Sequence, residues 1–297
     1  TNYGQLGDVV SESGESVTRE YRQLAGQFDV GDDAYLDRSS FPHDPLIAHE
    51  LEFTEVSIPG DSGEFGAWFI DDHSPRSDEG LWTILVHGRS SNRDTSLKVL
   101  NSLKGRSLTI DYRNDTNAPA SESGFYDFGT TEWKDVEAAA QYALDNGAKK
   151  IVLVGYSMGG GIVVNYQLRS DLAQHTVGII LDSPMLNFGR TIDKGAEERG
   201  VPAPITFVAK LITQMRFGID WDGLDFLARA GELTVPVLLI HGDADETVPV
   251  ETSIEFAAAA PTLVEFHTYE NVGHVAAWNW HPEEYENLFK DFVERVR

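Results

Sequence analysis

Chemistry is offered most openly by the run Ile151-Val152-Leu153-Val154-Gly155-Tyr156-Ser157-Met158-Gly159-Gly160-Gly161. It reads as a buried strand, a Gly-x-Ser-x-Gly turn and the start of a helix. A nucleophilic serine hydroxyl must stand clear of a sheet, so its strand must turn sharply into the helix. Glycines two before and two after leave room for that close approach. The helix N-terminus then aims amide N–H groups and a positive dipole end at the reaction centre. Ser157 is therefore the candidate nucleophile.

A serine needs a general base that works near neutral pH, and histidine is the natural choice. The chain has nine histidines. His43, His49 and His73 precede the main run of strands. His87 and His241 each end a buried strand and are followed by glycine. His175 sits in a polar loop, His267 inside a strand, and His281 at the start of the last helix. His274, in Asn271-Val272-Gly273-His274, follows the last strand and precedes the last helix. In a parallel sheet that loop shares the carboxyl edge with Ser157, the edge where open α/β sheets carry their sites. His274 is the candidate base, with His281 in reserve. The base needs an anion to hold its tautomer. His241-Gly242-Asp243-Ala244-Asp245-Glu246 offers Asp245, placed where its side chain can turn toward the base. Asp243 is better suited to fixing the turn, and Asp182 is a third possibility. A tetrahedral oxyanion needs two preorganised donors. The N–H groups of Met158 and Arg89 are the candidates, with Gly88 letting the backbone approach.

The elements that must position these groups follow from periodicity. Leu51–Ile58 and Glu64–Ile70 alternate and form a hairpin around Pro59-Gly60-Asp61. Short apolar runs at Leu81–Val86, Ser107–Ile110, Ile151–Val154, Val177–Leu181, Val235–Ile240 and Leu263–Tyr269 read as buried strands. Helical spacing appears at Ser16–Gln27, Thr95–Leu103, Thr131–Asn146, Met158–Leu168, Ser253–Ala260 and Pro282–Val296. Strands alternating with helices imply crossovers and a mostly parallel sheet. Residues 1–45 read as a polar lead-in to one domain over 46–297. Between about 184 and 233 no strand pattern is found. Two helices, Gly189–Arg199 and Ile205–Phe217, fill that block and read as an inserted helical cap, since the connection greatly exceeds a usual crossover. Such a cap implies an apolar pocket.

Composition narrows the ligands. The 297 residues hold 48 acidic against 23 basic side chains, a net charge of −25. That excludes a basic footprint for nucleic acid and opposes adsorption to anionic lipid. The absence of cysteine removes disulfides, thiolate metal sites and cysteine nucleophiles together. No apolar run approaches the roughly 18 residues of a membrane span. Few lysines beside many carboxylates fit a secreted protein or a salty setting. The compartment, including tethering through a segment ahead of Thr1, stays open, as does the oligomeric state.

From about Leu51 to Arg297 the chain resembles the α/β-hydrolases. The resemblance rests on His87-Gly88, Asp111-Tyr112-Arg113, Gly155-Tyr156-Ser157-Met158-Gly159, Asp182-Ser183-Pro184, His241-Gly242-Asp243-Ala244-Asp245 and Gly273-His274. It implies a mostly parallel central sheet with helices on both faces and a small helical cap. The order nucleophile, acid, base (Ser157, Asp245, His274) is the order of that fold. It further implies a serine hydrolase that cleaves small carboxylic esters through an acyl-enzyme, without metal or cofactor. The Asp-Tyr-Arg and Asp-Ser-Pro blocks resemble the branch of membrane-associated and depalmitoylase-like hydrolases. That branch continues Asp-Tyr-Arg with a glycine-rich turn, where this chain has Asn114–Pro119. Two other readings remain: a peptidase or amidase of the same fold, and a non-catalytic binding protein on the scaffold.

Overall fold

The computed structural model describes residues 3–14, 16–34, 41, 44–71, 80–103 and 105–297. His43 and His73 lie outside them. The chain opens with an antiparallel hairpin of β1 (Tyr3–Ser13) and β2 (Ser16–Ala25). This corrects the helix expected over Ser16–Gln27. Val17, Tyr21 and Leu24 recur at intervals of four and three, which mimics a helical stripe. The turn at Gly14, with φ 58°, instead folds the segment back onto β1.

After α1 (Pro45–His49) come β3 (Thr54–Gly60), β4 (Gly63–Asp71) and β5 (Leu81–Val86). Next are α2 (Leu97–Leu100), β6 (Arg106–Ile110), α3 (Trp133–Asp145), β7 (Lys150–Tyr156) and α4 (Met158–Arg169). The chain continues through β8 (Thr176–Asp182), α5 (Phe188–Glu197), α6 (Ala203–Phe217) and β9 (Val237–Gly242). It closes with α7 (Val250–Ala259), β10 (Val264–Tyr269), α8 (Ala277–Trp280) and α9 (Pro282–Val296). Among the described residues β3 to β10 form one sheet in the order β10-β9-β8-β7-β5-β6-β4-β3. The β3–β4 and β4–β6 pairs are antiparallel and all others parallel.

Helices cover both faces because the central strands are apolar on both. Every residue of β5 and β9 is buried. On one face α3 lays down Val136, Ala139, Ala140 and Ala143, an i, i+3, i+4, i+7 stripe. On the other, α9 contributes Tyr285, Phe289, Phe292 and Val293 at i, i+4, i+7 and i+8, again one face of a helix. Each large apolar side chain fully buried this way is worth about 1.5–3 kcal/mol. The register sets the ends of the strands side by side: Val86 pairs with Gly155, Tyr156 with Asp182, and Asp182 with Ile240.

Between β8 and β9 the chain leaves the sheet. Phe188 is sandwiched between Phe128, with ring centroids 3.9 Å apart, and Trp221 at 5.3 Å. On α6 the polarity is inverted. Thr206 is its buried residue, and Lys210 ties the helix to α5 through the Asp193 carboxylate at 2.7 Å. Phe207, Val208, Leu211, Ile212 and Met215 face outward and are exposed. Among the described residues no helix is long and apolar enough to cross a membrane.

Candidate active site

The turn after β7 carries Ser157 at φ 51°, ψ −117°, a conformation that L residues rarely adopt. The surroundings enforce it. A Cβ at Gly159 would collide with the carbonyl oxygens of Val86 and His87, and one at Gly155 would lie 2.6 Å from the Gly160 backbone. The Ser157 amide donates to Asp182 O at 2.9 Å, and its carbonyl accepts from Gly160 and Met185. The serine is thus pinned from three sides, with its side chain left free of the sheet.

His274 meets it from the loop after β10. Its Nε2 lies 2.9 Å from Ser157 Oγ, and its Nδ1 lies 2.6 Å from Asp245 Oδ2. The loop is held by strained backbone, since Asn271 and Val275 both have positive φ (58° and 52°). Left-handed backbone is costly for a β-branched residue such as Val275. Two contacts hold it: the Val275 amide donates to Ser183 Oγ at 3.1 Å, and Lys98 Nζ donates to the Val275 carbonyl at 2.7 Å. Burial pushes the Lys98 amine below its ordinary value against the pull of Asp182.

Asp245 follows β9 and is buried. Its Oδ1 accepts the amides of Thr247 (2.7 Å) and Val248 (2.8 Å). Burial alone would raise its pKa, but hydrogen bonds from His241 and His274 and the Val248 amide hold it well below the usual carboxylate range. The structure therefore brings Ser157, His274 and Asp245 into one hydrogen-bonded line. The other candidates fall elsewhere. Asp243 accepts the Asn271 amide at 2.6 Å and so ties down the loop that carries His274. Asp182 is buried and accepts from Tyr285 Oη and Ser183 Oγ. His281 precedes α9 with its ring stacked on Tyr269 at 5.1 Å.

Met158 opens α4, so its N–H has no partner within the helix. Arg89 follows Gly88, where a Cβ would sit 2.9 Å from Ser157 Cβ. Neither amide donates to another backbone group among the described residues. The Arg89 guanidinium lies over the Phe128 ring, 5.6 Å from its centroid. The Gly88 turn is backed by His87, whose Nδ1 is 2.8 Å from Gly88 O and whose Nε2 is 3.0 Å from Asp115 Oδ2. Tyr112 Oη donates toward the carbonyls of His87 and Gly88, both at 3.2 Å.

His87, Asp111 and Asp115 are close enough to share a metal ion. Two contacts already occupy the cluster: Arg93 Nε lies 3.3 Å from Asp111 Oδ1, and His87 bonds Asp115. A guanidinium inside the cluster supplies the positive charge a cation would bring.

A groove of about 1250 Å³ opens over Ser157 and His274. Its walls carry Arg89, Ser90, Asn92, Thr95, Asn271 and Asn279. No residue of the β8–β9 excursion lines it, so the groove is hydrophilic where the sequence led us to expect an apolar pocket. The apolar side chains of α6 that suggested one point away from the domain.

Known proteins are similar to this chain to different depths. The family model described as the alpha/beta hydrolase family matches residues 83–288. The uncharacterized protein YfhR of Escherichia coli (strain K12) is 23% identical over 271 residues, covering 87% of this chain and 85% of its own. The solved Pyrococcus furiosus esterase Pf2001 superposes with a TM-score of 0.62 at 20% identity, over 83% of this chain and 93% of that one. A thermophilic esterase from Thermogutta terrifontis gives 0.58 at 21% identity, over 82% and 99%. The structural likeness concerns the fold, whereas the family model spans well over half of the sequence, including the serine elbow and the histidine loop, and so the chain belongs to the alpha/beta hydrolase family.

Proposed function

We propose that this hydrolase cleaves carboxylic esters through an acyl-enzyme on Ser157. The observation that carries the reading is the unbroken line from Ser157 Oγ through His274 to Asp245, at 2.9 and 2.6 Å. Asp245, ionised, accepts a hydrogen bond from His274 Nδ1–H, which leaves the Nε2 lone pair facing the serine hydroxyl. As Oγ attacks the ester carbonyl, its proton passes to Nε2. The oxyanion forms against the Met158 and Arg89 amides, and losing one such donor would cost about a hundred- to a thousandfold in turnover. His274 then gives its proton to the leaving alkoxide. A water deprotonated by the same nitrogen cleaves the acyl-enzyme and restores Ser157.

The hydrophilic groove supports short or polar esters over long-chain lipids. A buried polar wall facing an alkyl chain would lose its water without gaining a partner. The negative net charge also disfavours polyanionic substrates.

A panel of p-nitrophenyl esters graded from acetate to palmitate tests this, run beside matching anilides. We expect acetate and butyrate to lead. Ser157→Ala should lose about 10⁴-fold or more of the activity and all labelling by a fluorophosphonate. Labelling that survives in the variant removes Ser157 as nucleophile, and anilides outpacing esters turns the reading to an amidase.

A further inference from the structure

β9 delivers a second histidine to the acid. The His241 ring is fully buried, with Nε2 3.1 Å from Asp245 Oδ2 and Nδ1 2.7 Å from Ser253 Oγ on α7. Asp245 Oδ2 is the oxygen that His274 Nδ1 also approaches. The two amides on Oδ1 leave the carboxylate with four donors, two on each oxygen. For a neutral His241 ring that leaves one proton assignment. An ionised carboxylate only accepts, so His241 Nε2 carries a proton. A neutral ring then offers Nδ1 as an acceptor, and the Ser253 hydroxyl donates to it. Among the described residues Ser253 Oγ bonds only that ring. Donors and acceptors alternate without conflict from Ser253 through His241 to Asp245, where the line from Ser157 and His274 arrives from the other side.

We propose that His241 is a positioning residue for the base. By donating to the oxygen that His274 uses, it fixes the direction in which that oxygen accepts, and it spreads the carboxylate charge. This rests on the reading of His274 as the general base. The groove beside His274 also carries Arg89, Asp94, Lys98 and Glu246, and Asp182 lies near it at the end of β8. His241 bonds none of them, so its replacement isolates its own effect.

The test pairs two substitutions. His241→Leu removes the donor, and His241→Gln keeps an N–H near the place of Nε2. In the Leu variant we expect kcat to fall roughly tenfold with KM little changed, because a misdirected base slows the chemical step and leaves substrate binding alone. The Gln variant should recover most of that loss. A Leu variant with unchanged kcat, or a Gln variant as impaired as Leu, overturns the assignment. Histidine ¹⁵N NMR of the unmodified protein tests the tautomer without turnover or a variant. At neutral pH His241 should carry its proton on Nε2 with Nδ1 as acceptor, and a proton on Nδ1 overturns the assignment. If the protein hydrolyses no ester, the ester-hydrolase reading fails while the NMR result still stands for His241.

Discussion

Two strand ends on the same edge of the sheet hold comparable sets of groups and reach opposite outcomes. At the end of β9, His241 and His274 converge on Asp245. At the ends of β5 and β6, His87 stands beside Asp111 and Asp115. The carboxylates are almost equally buried, Asp245 2% exposed and Asp111 4%. Asp245 is held below the ordinary range, yet Asp111 is raised to about 6. Burial raises both, so it does not decide between them. The donors do. Asp245 accepts four hydrogen bonds, whereas Asp111 has Arg93 at 3.3 Å on one oxygen and, among the described residues, no partner on the other. The nearby charges of Asp115 and Glu55 push Asp111 further up against Arg93 and His87. At β5 acceptors outnumber donors: both nitrogens of the His87 ring face oxygens, one a carbonyl and one a carboxylate. An excess of donors yields a permanent anion, and an excess of acceptors yields a group that titrates.

The largest effect should come from breaking the anion at β9. Asp245→Asn presents an amide N–H or a neutral oxygen to His274 and forfeits the fixed tautomer. We expect turnover to drop about 10⁴-fold with the melting curve of a folded protein retained. Full activity in that variant would remove Asp245 as the acid. Next comes Asp115→Asn. Its carboxylate accepts from Tyr126 Oη at 2.8 Å, the Tyr112 amide at 2.7 Å and His87. Neutralising it strips His87 of its anion, and denaturant unfolding should show a loss of about 1–3 kcal/mol. An unchanged unfolding midpoint would mean the pair merely fills space. The smallest effect runs the other way. Because the folded state raises the Asp111 pKa, stability is full below about pH 4 and declines as pH rises through about 6, where the unfolded carboxyl ionises first. Asp111→Asn removes that penalty. It should stabilise the protein at pH 8 by on the order of 1 kcal/mol and leave it unchanged near pH 4. Equal melting shifts at both pH values would contradict the raised pKa.

The readable parts of the sequence were those where one short segment carries its own signal. The elbow was legible because an apolar run, a glycine pair and a helix start coincide within a dozen residues. The hairpin of β1 and β2 was not, because Val17, Tyr21 and Leu24 fit a helical stripe and only pairing with β1 chooses the strand. His241 was passed over for a similar reason. Its spacing of four from Asp245 is visible, but Ser253, which fixes its tautomer, lies on the next helix. The hydrophilic groove was hidden by α6. An apolar helix in an insertion suggests a pocket wall, and only the seating of Lys210 against α5 reveals which side faces out.

The bond between His274 and Ser157 joins residues 117 apart in the chain. The sheet places β5 beside β7, so Ser157 and the Gly88 turn come together without β9 or β10. His274 and Asp245 join them only once β9 and β10 have paired at the far edge. Contacts of such long sequence separation form slowly, because loop closure precedes their reward. On the proposed reading of these residues, ester hydrolysis should return on refolding after the sheet's far-ultraviolet signal, and the two returning together would contradict that order.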